Sequence, residues 1–318
     1  MRSKEELREE CSRLFACDSI HDSYELIDIY SELLFNIIRN HHDEAVYTQA
    51  DADAKIVVQM MLTKSLHLRS AVNGITYQSK DGTTLNKIID PTIVASLIRN
   101  IYETVGMFNL IYRTTKTKDE KTILYFLWVH AGLKYRQRFE PAIISDENRK
   151  KMEHEKKEME RIVQIIEETE LYKKLDEKNQ GKIKTKLKDR DYLIRINDTE
   201  VEFLSWQELT SVMGIKDGRL DNMYTYFSLY SHPSNVAVFQ FADLFKKEDE
   251  SFLKMTNFNL KNYFNLMSIF ISDYIKLFPS VQKSFDSMDI RDQIVINFFS
   301  TFMRGDSYSI NDSNKAVD

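Results

Sequence analysis

The sequence predicts a mainly α-helical protein: a helical bundle with an inserted charged helical arm and room for one small β-hairpin. Glycine (8) and proline (4) are scarce among the 318 residues, although turn-rich all-β folds and doubly wound nucleotide-binding folds depend on them. Hydrophobic residues make up 42% and charged residues 29%, which is enough for both a sizeable core and a charged surface. Apolar residues also recur at helical spacing along most of the chain.

The predicted helices follow from local start and stop signals. The chain is helical to about residue 72, where Asn73-Gly74 ends the helix, and Lys80-Asp81-Gly82 forms a turn. Asp90-Pro91 combines a capping carboxylate with proline at the first helical position, so it opens a strong helix. The later helices are predicted at about 119–138, after the capping box Ser205–Glu208, at 219–231 before Pro233, at 258–278 and at 288–303.

Charge defines the predicted domains. Between residues 146 and 191, Lys and Arg nearly balance Asp and Glu around a thin apolar stripe, which indicates a solvated arm. Within it, Lys182–Lys188 fits a strand or a helix, and Tyr192–Phe203 fits a hairpin around Asn197-Asp198. We therefore expect one discontinuous bundle (1–144 and 201–304), the arm (145–200) and a disordered tail (305–318).

Composition excludes several function classes. The net charge of −5 provides no global basic field for nucleic acid, so such contacts need a local patch. Cys11 and Cys17 match neither a disulfide framework nor a zinc motif. The charged start of the chain is no signal peptide, and no apolar run could cross a bilayer. We expect a cytoplasmic protein without membrane contact.

Arg99 and Glu103 form the first candidate site. They lie four residues apart and hence on one face of the helix that Asp90-Pro91 opens. Charge in so apolar a segment is costly unless it is paired. Two interpretations stay open: an ion pair within the helix, or an arginine that binds an anion while Glu103 holds its orientation.

Ser228 and His232 form the second candidate site. Pro233 biases His232 out of helical geometry, to the end of its helix. One interpretation is a capping histidine bonded to the last carbonyls. The other makes His232 a general acid/base with Ser228 as its hydrogen-bond partner.

Other chemistry-bearing residues have simpler interpretations. Adjacent His41 and His42 point to different helix faces, so no metal site is expected there or elsewhere. His130 lies on an apolar face and is interpreted as a hydrogen-bonded core residue. The aromatic residues before His232 could stack on bases but are more typical of a core; they are Tyr224, Tyr226, Phe227 and Tyr230.

Two segments, Leu97–Glu103 and Tyr224–Ser234, carry a family resemblance. They resemble the paired Arg-x-x-x-Glu and Ser-x-x-x-His signatures of an uncharacterised bacterial family of all-helical proteins that is similar in style to HEPN bundles. The resemblance covers roughly residues 50–275, interrupted by the arm. It implies a bundle that brings Arg99, Glu103 and His232 together. Because HEPN bundles usually act as dimers, it also implies a homodimer.

The standard Arg-x4–6-His ribonuclease motif of HEPN domains has one match in this chain, Arg149 to His154. This match lies in the charged arm without an apolar wall, and we interpret it as coincidence.

Two function classes stay open. In the first, the protein is a HEPN-like effector, such as an RNA-cleaving toxin or phage-defence component. Arg99 then neutralises a phosphate, His232 moves protons, and Glu103 and Ser228 orient them, without metal or other cofactor. In the second, the protein is a non-catalytic interaction module. In that case Arg99, Glu103, Ser228 and His232 only stabilise the packing of the core, and the 145–200 arm contacts a partner protein.

Overall fold

The computed structural model describes residues 2–246 and 251–317, and it confirms the mainly α-helical fold. Fourteen helices and two antiparallel hairpins lie in these ranges, where none of the helices has the length and apolar character of a membrane span. The elements are α1 (Lys4–Ala16), α2 (Ile20–His41), α3 (Gln49–Val72), β1 (Ile75–Gln78), β2 (Thr84–Ile88), α4 (Pro91–Tyr112), α5 (Lys118–Arg136), α6 (Asp146–Glu168), α7 (Glu170–Lys174), α8 (Glu177–Asp189), β3 (Ile194–Asn197), β4 (Glu200–Phe203), α9 (Leu209–Val212), α10 (Met223–Ser231), α11 (Asn235–Lys246), α12 (Ser251–Leu277), α13 (Gln282–Asp286) and α14 (Ile290–Arg304).

The chain divides into two compact units at boundaries that differ from the predicted ones. The first unit is Met1–Phe108 with Thr210–Asp318, and the second is Asn109–Leu209. Helix α5, which we expected in the bundle, belongs to the second unit. Charge density marked α6 to α8 as different from the bundle, but it did not reveal the helix on which they pack, because the central residues 122–133 of α5 include no Lys, Arg, Asp or Glu.

Buried aromatic rings form the core of the first unit. Tyr30 of α2 stacks on Phe264 of α12 with ring centroids 5.8 Å apart. Phe108 of α4 meets Phe270 of α12 edge to face at 4.9 Å. Each such ring buries a large apolar area and prefers these tilted or offset geometries. The rings therefore fix α4, which carries two predicted site residues, against α12.

Helix α4 begins where the sequence predicts and for the predicted reason. Asp90 Oδ1 accepts a hydrogen bond from the backbone N–H of Thr92 at 2.8 Å, and Pro91 is the first helical residue. Ile98 and Ile101 are fully buried. The apolar residues that recur at helical spacing thus form the packed side of α4.

The hairpin β1–β2 was missed by the sequence analysis, which predicted only its turn. All residues of β1 are exposed, and the alternation of Ile75 and Tyr77 with Thr76 and Gln78 extends over only four residues, which is too short to indicate a strand by itself. Gly74 precedes it at φ +74°, and a Cβ there would lie 2.7 Å from the Ile88 carbonyl oxygen. Only glycine allows this close approach.

The second unit is a folded body and not the predicted solvated arm. Helices α6 and α8 both pack on α5, and Ile162 and Ile183 are fully buried. Asn179 of α8 accepts a hydrogen bond from the backbone N–H of Val201 in β4 at 3.0 Å. The few apolar residues of the charged helices are enough to form a core, because three helices and a hairpin all contribute residues to it.

Two local predictions within the second unit are now decided. The Lys182–Lys188 segment, which fitted either a strand or a helix, lies in α8. The predicted hairpin around Asn197-Asp198 is confirmed as β3–β4, with Ile196 opposite Val201. Asp198 adopts φ +54° in its turn, a conformation that aspartate tolerates better than most residues.

The predicted disordered tail is wrong for residues 305–317, which pack on α14. The amide of the fully buried Asn297 donates to Asn311 Oδ1 at 2.8 Å and to Ser313 Oγ at 2.6 Å. Asn297 Oδ1 in turn accepts from the backbone N–H of Ile310 at 2.8 Å. A buried amide needs such partners, and the tail, although poor in apolar residues, supplies them.

A buried ion pair joins α12 to α14. Arg304 Nη2 donates to Asp273 Oδ1 at 2.9 Å, and the two side chains are only 2% and 1% exposed. The Tyr308 ring lies 3.9 Å from the Arg304 guanidinium carbon. Removing one partner of such a pair leaves an uncompensated buried charge.

We therefore expect Arg304→Met to lower the free energy of unfolding by about 3–5 kcal/mol. Lys261→Ala is the matched control, because it removes an exposed ion pair of α12 to Asp18 and should cost less than about 1 kcal/mol. Urea unfolding monitored by circular dichroism measures both. If both variants lost the same small free energy of unfolding, the buried Asp273 carboxylate would not need the Arg304 guanidinium to compensate its charge.

Candidate functional site

Two helices of the first unit bring three of the four predicted site residues together. Helix α4 carries Arg99 and Glu103 one turn apart, and α10 ends at His232, its C-cap. His232 has extended dihedral angles (φ −108°, ψ 150°), as expected of a residue before proline. Its imidazole consequently lies beside the Arg99 guanidinium, although 133 positions separate them in the chain.

The Arg99 guanidinium bonds three different residues. Its Nε donates to Glu103 Oε1 at 3.1 Å, and its Nη1 contacts His232 Nε2 at 3.1 Å. Its Nη2 donates to the Tyr224 hydroxyl oxygen at 2.8 Å, and the guanidinium carbon lies 4.9 Å from the Tyr224 ring centroid. The planar fork of arginine suits such simultaneous contacts, whereas the ammonium of lysine cannot reproduce them.

The Arg99 contact assigns the tautomer of His232. Arginine has only donors, so Nε2 must accept and the ring proton must sit on Nδ1. An Nε2 without a proton is what a general base needs. The atom that accepts from Arg99 is therefore also the atom that the predicted acid/base role of His232 would use.

The site is reachable from solvent. The side chains of Arg99 and Glu103 are 21% and 27% exposed, and His232 is exposed. Polar residues that served only to stabilise the core would instead be fully buried and out of contact with water. Anions can therefore approach the guanidinium.

Ser228 differs from its predicted role as the partner of His232. Its hydroxyl donates to the Tyr224 carbonyl oxygen at 2.7 Å, one turn back in α10. Serine in a helix commonly makes this bond. Ser228 thus satisfies the backbone of its own helix, while its carbonyl accepts from the His232 backbone N–H at 3.2 Å.

Tyr224 was missed as a site residue because its neighbours in sequence are core residues. Phe227 and Tyr230 are buried, as the core interpretation expects, whereas Tyr224 is only partly buried. Its ring packs on the Tyr102 ring at 5.6 Å. Its place, eight residues before His232 on the same helix, was the available signal.

Lys64 of α3 was also missed. Burial lowers the pKa of its ammonium to about 8, although the nearby Glu103 carboxylate raises it. Its Nζ donates to Thr104 Oγ1, which donates to the Asn100 carbonyl oxygen at 2.8 Å. Glu103 therefore interacts with a second cation besides Arg99.

An open groove of about 530 Å³ is lined in part by His232. Its walls are largely apolar. The residues that line it are Asn222, Thr225, Tyr226, Ser228, Leu229, His232 and Ser234.

The remaining histidine candidates do not join this site. His41 and His42 approach different carboxylates, Glu44 at 3.5 Å and Asp43 at 3.1 Å. No group of three or more His, Cys, Asp or Glu side chains suited to a metal occurs in the described ranges.

His130 is buried, but it is not the fully satisfied core residue that we expected. Within the described part of the chain its Nδ1 has no hydrogen-bond partner. Burial lowers its pKa to about 4. His130 therefore stays neutral at physiological pH, which makes the unpaired nitrogen less costly than a buried charge.

Comparison of the chain with family models, curated proteins and solved structures finds no match in any of the three.

The pKa of Lys64 gives a testable pH dependence. Folded Lys64 loses its proton near pH 8, and an ordinary lysine does so near 10.5. Between these values the unfolded chain binds more protons, so the wild type gains stability as pH rises. Below pH 8 both states are protonated, and the folded state carries the full desolvation cost.

We expect Lys64→Met to be more stable than the wild type at pH 7. The difference in free energy of unfolding between the two proteins should become smaller from pH 8 to 10.5, because the buried Lys64 ammonium of the wild type loses its proton over that range. Urea unfolding at several pH values measures it. A difference that stays constant from pH 7 to 10.5 would contradict the lowered pKa.

Proposed function

We propose that the protein is a HEPN-like effector that cleaves RNA without a metal ion, with Arg99 and His232 as its catalytic residues. The observation that carries the proposal is the 3.1 Å contact between the guanidinium and the imidazole, beside an open groove that His232 lines. A cation and a proton carrier side by side are what phosphodiester cleavage requires.

Arg99 is the phosphate-binding group in this proposal. Arginine binds phosphate oxygens through paired N–H groups, and the bond gains strength from the two opposite charges. Glu103 and Tyr224 hold two of the three nitrogens. They are positioning residues, because they fix the plane of the guanidinium.

His232 is the proton carrier. A phosphate oxygen that accepts a hydrogen bond from Arg99 Nη1 takes the place of His232 Nε2. The released Nε2 accepts the proton of the ribose 2′-hydroxyl, whose oxygen attacks phosphorus. The bond from phosphorus to the 5′ oxygen breaks, and that oxygen takes a proton from solvent. The products are a 2′,3′-cyclic phosphate and a 5′-hydroxyl end.

The biological setting belongs to the same proposal. The resemblance of Leu97–Glu103 and Tyr224–Ser234 to a bacterial HEPN-like family favours a cytoplasmic toxin or phage-defence component that acts as a homodimer. The second unit, which contains the predicted 145–200 arm, is the proposed contact for a partner protein. Its charged helices α6 and α8 offer the surface for that contact.

A second candidate function is a non-catalytic interaction module. The observation that favours it is that all three nitrogens of Arg99 already have partners within the chain. In that case Arg99 and its three partners, Glu103, Tyr224 and His232, stabilise the contact between α4 and α10, and they bind no substrate.

RNA cleavage by single-residue variants tests the proposal. The full chain is incubated with end-labelled RNA of mixed sequence in excess EDTA, and the new ends are identified by mass spectrometry. We expect 2′,3′-cyclic phosphate ends from the wild type. His232→Ala should cleave about 100-fold more slowly or worse, because it lacks the proton carrier. Arg99→Lys should lose about 100-fold, because a point charge does not replace the fork.

The matched control is His154→Ala, which removes the exposed histidine of the coincidental Arg149–His154 motif and should leave cleavage unchanged. Intact RNA with the wild type, or unchanged cleavage by a folded His232→Ala, would favour the interaction module. Loss of cleavage in His154→Ala alone would move the activity to the second unit.

A further inference from the structure

The groove that His232 lines is largely apolar. Through His232 it adjoins Arg99, whose Nη1 lies 3.1 Å from the imidazole Nε2. Leu229 and Tyr226 contribute apolar surface along the walls, and Leu229 is 37% exposed. A volume of about 530 Å³ lies within the range of small-molecule sites.

The groove walls are held in place by hydrogen bonds and ring contacts. The Tyr226 hydroxyl donates to Asn259 Oδ1 at 3.1 Å, and its ring meets the Phe258 ring edge to face at 5.7 Å. Ser234 Oγ donates to the Leu229 carbonyl oxygen at 2.9 Å. A ligand would therefore enter a site that is already formed, and little ordering of side chains would oppose binding.

Backbone strain marks the segment that leads into the groove. Leu220 and Asn222 both adopt left-handed conformations, with φ +56° and +59°. For leucine this is a rare and unfavourable conformation, and such residues concentrate at functional sites. Asn222 lines the groove, and its exposed side chain does not cap α10.

We propose that this groove binds the nucleobase next to the phosphate that Arg99 holds, an inference that rests on the proposed function. The phosphate would bind the Arg99 guanidinium beside the groove, and the flat apolar base would lie against Leu229 and Tyr226. The Asn222 amide can bond the edge of the base. An amide offers both donors and an acceptor, as base edges do.

The subsite selects unpaired RNA. A base in a duplex is stacked and paired, so it reaches a groove only after it leaves the helix, at a cost of a few kcal/mol. Unpaired nucleotides in loops and single strands meet no such cost. Loops and single-stranded segments are therefore the substrate class.

Binding of small phosphates tests the subsite without any cleavage. The full chain is titrated by calorimetry with adenosine 5′-monophosphate, uridine 5′-monophosphate and ribose 5-phosphate, which carries the same sugar phosphate without a base. We expect both nucleotides to bind about tenfold more tightly than ribose 5-phosphate, because a bound base adds stacking and apolar contact.

Leu229→Ala should remove most of that tenfold preference and leave the affinity for ribose 5-phosphate unchanged. Val238→Ala is the matched control: it also shortens an exposed aliphatic side chain of the first unit, on α11 outside the groove. It should keep the full preference. Circular dichroism confirms that both variants are folded.

Equal affinity for nucleotides and ribose 5-phosphate, or no binding of either, overturns the subsite. So does a preference that both alanine variants lose equally. If RNA is nevertheless cleaved in a His232-dependent manner, only the subsite fails. If the base preference and its loss in Leu229→Ala are observed while RNA stays intact, the subsite stands and the proposed cleavage fails.

Discussion

One guanidinium, that of Arg99, sets the geometry of the whole site. It donates to a carboxylate on its own helix and to an imidazole and a phenol on another. Because arginine cannot accept hydrogen bonds, each partner must present a lone pair. This constraint fixes the His232 tautomer. In the proposed reaction, a phosphate that accepts from Arg99 Nη1 displaces His232 Nε2 and so releases the base that the chemistry needs.

The scaffold behind this contact is rigid. Helix α4 is fixed on α12 by Phe108 and Phe270, and α10 is fixed to α12 through Tyr226 and Asn259. Preorganised donors are effective in catalysis because they need not reorganise during the reaction. His232 itself lies at the exposed C-terminal end of α10, outside this core.

Much of this arrangement follows from short-range signals. Asp90-Pro91 predicted where α4 begins, Pro233 predicted where α10 ends, and the unusual polarity of Arg99 and Glu103 singled them out. What the sequence did not indicate depends on contacts between distant residues. The sequence around Tyr224 is typical of a core helix, and its hydrogen bond with Arg99 exists only in the folded chain. Nothing in the sequence around Lys64 indicated that it lies near Glu103. The tail was predicted to be disordered because it is poor in apolar residues. Its partner Asn297 becomes buried, and so needs hydrogen bonds from the tail, only when α14 folds.

The direct test of the central claim is the tautomer of His232, read from the ¹⁵N chemical shifts of its imidazole by NMR in the free protein. Donation by Arg99 requires the proton on Nδ1 and an acceptor-type shift at Nε2, and Arg99→Ala should abolish that pattern. A neutral His232 that carries its proton on Nε2 in the wild type would contradict the account, because arginine could not then donate to that nitrogen.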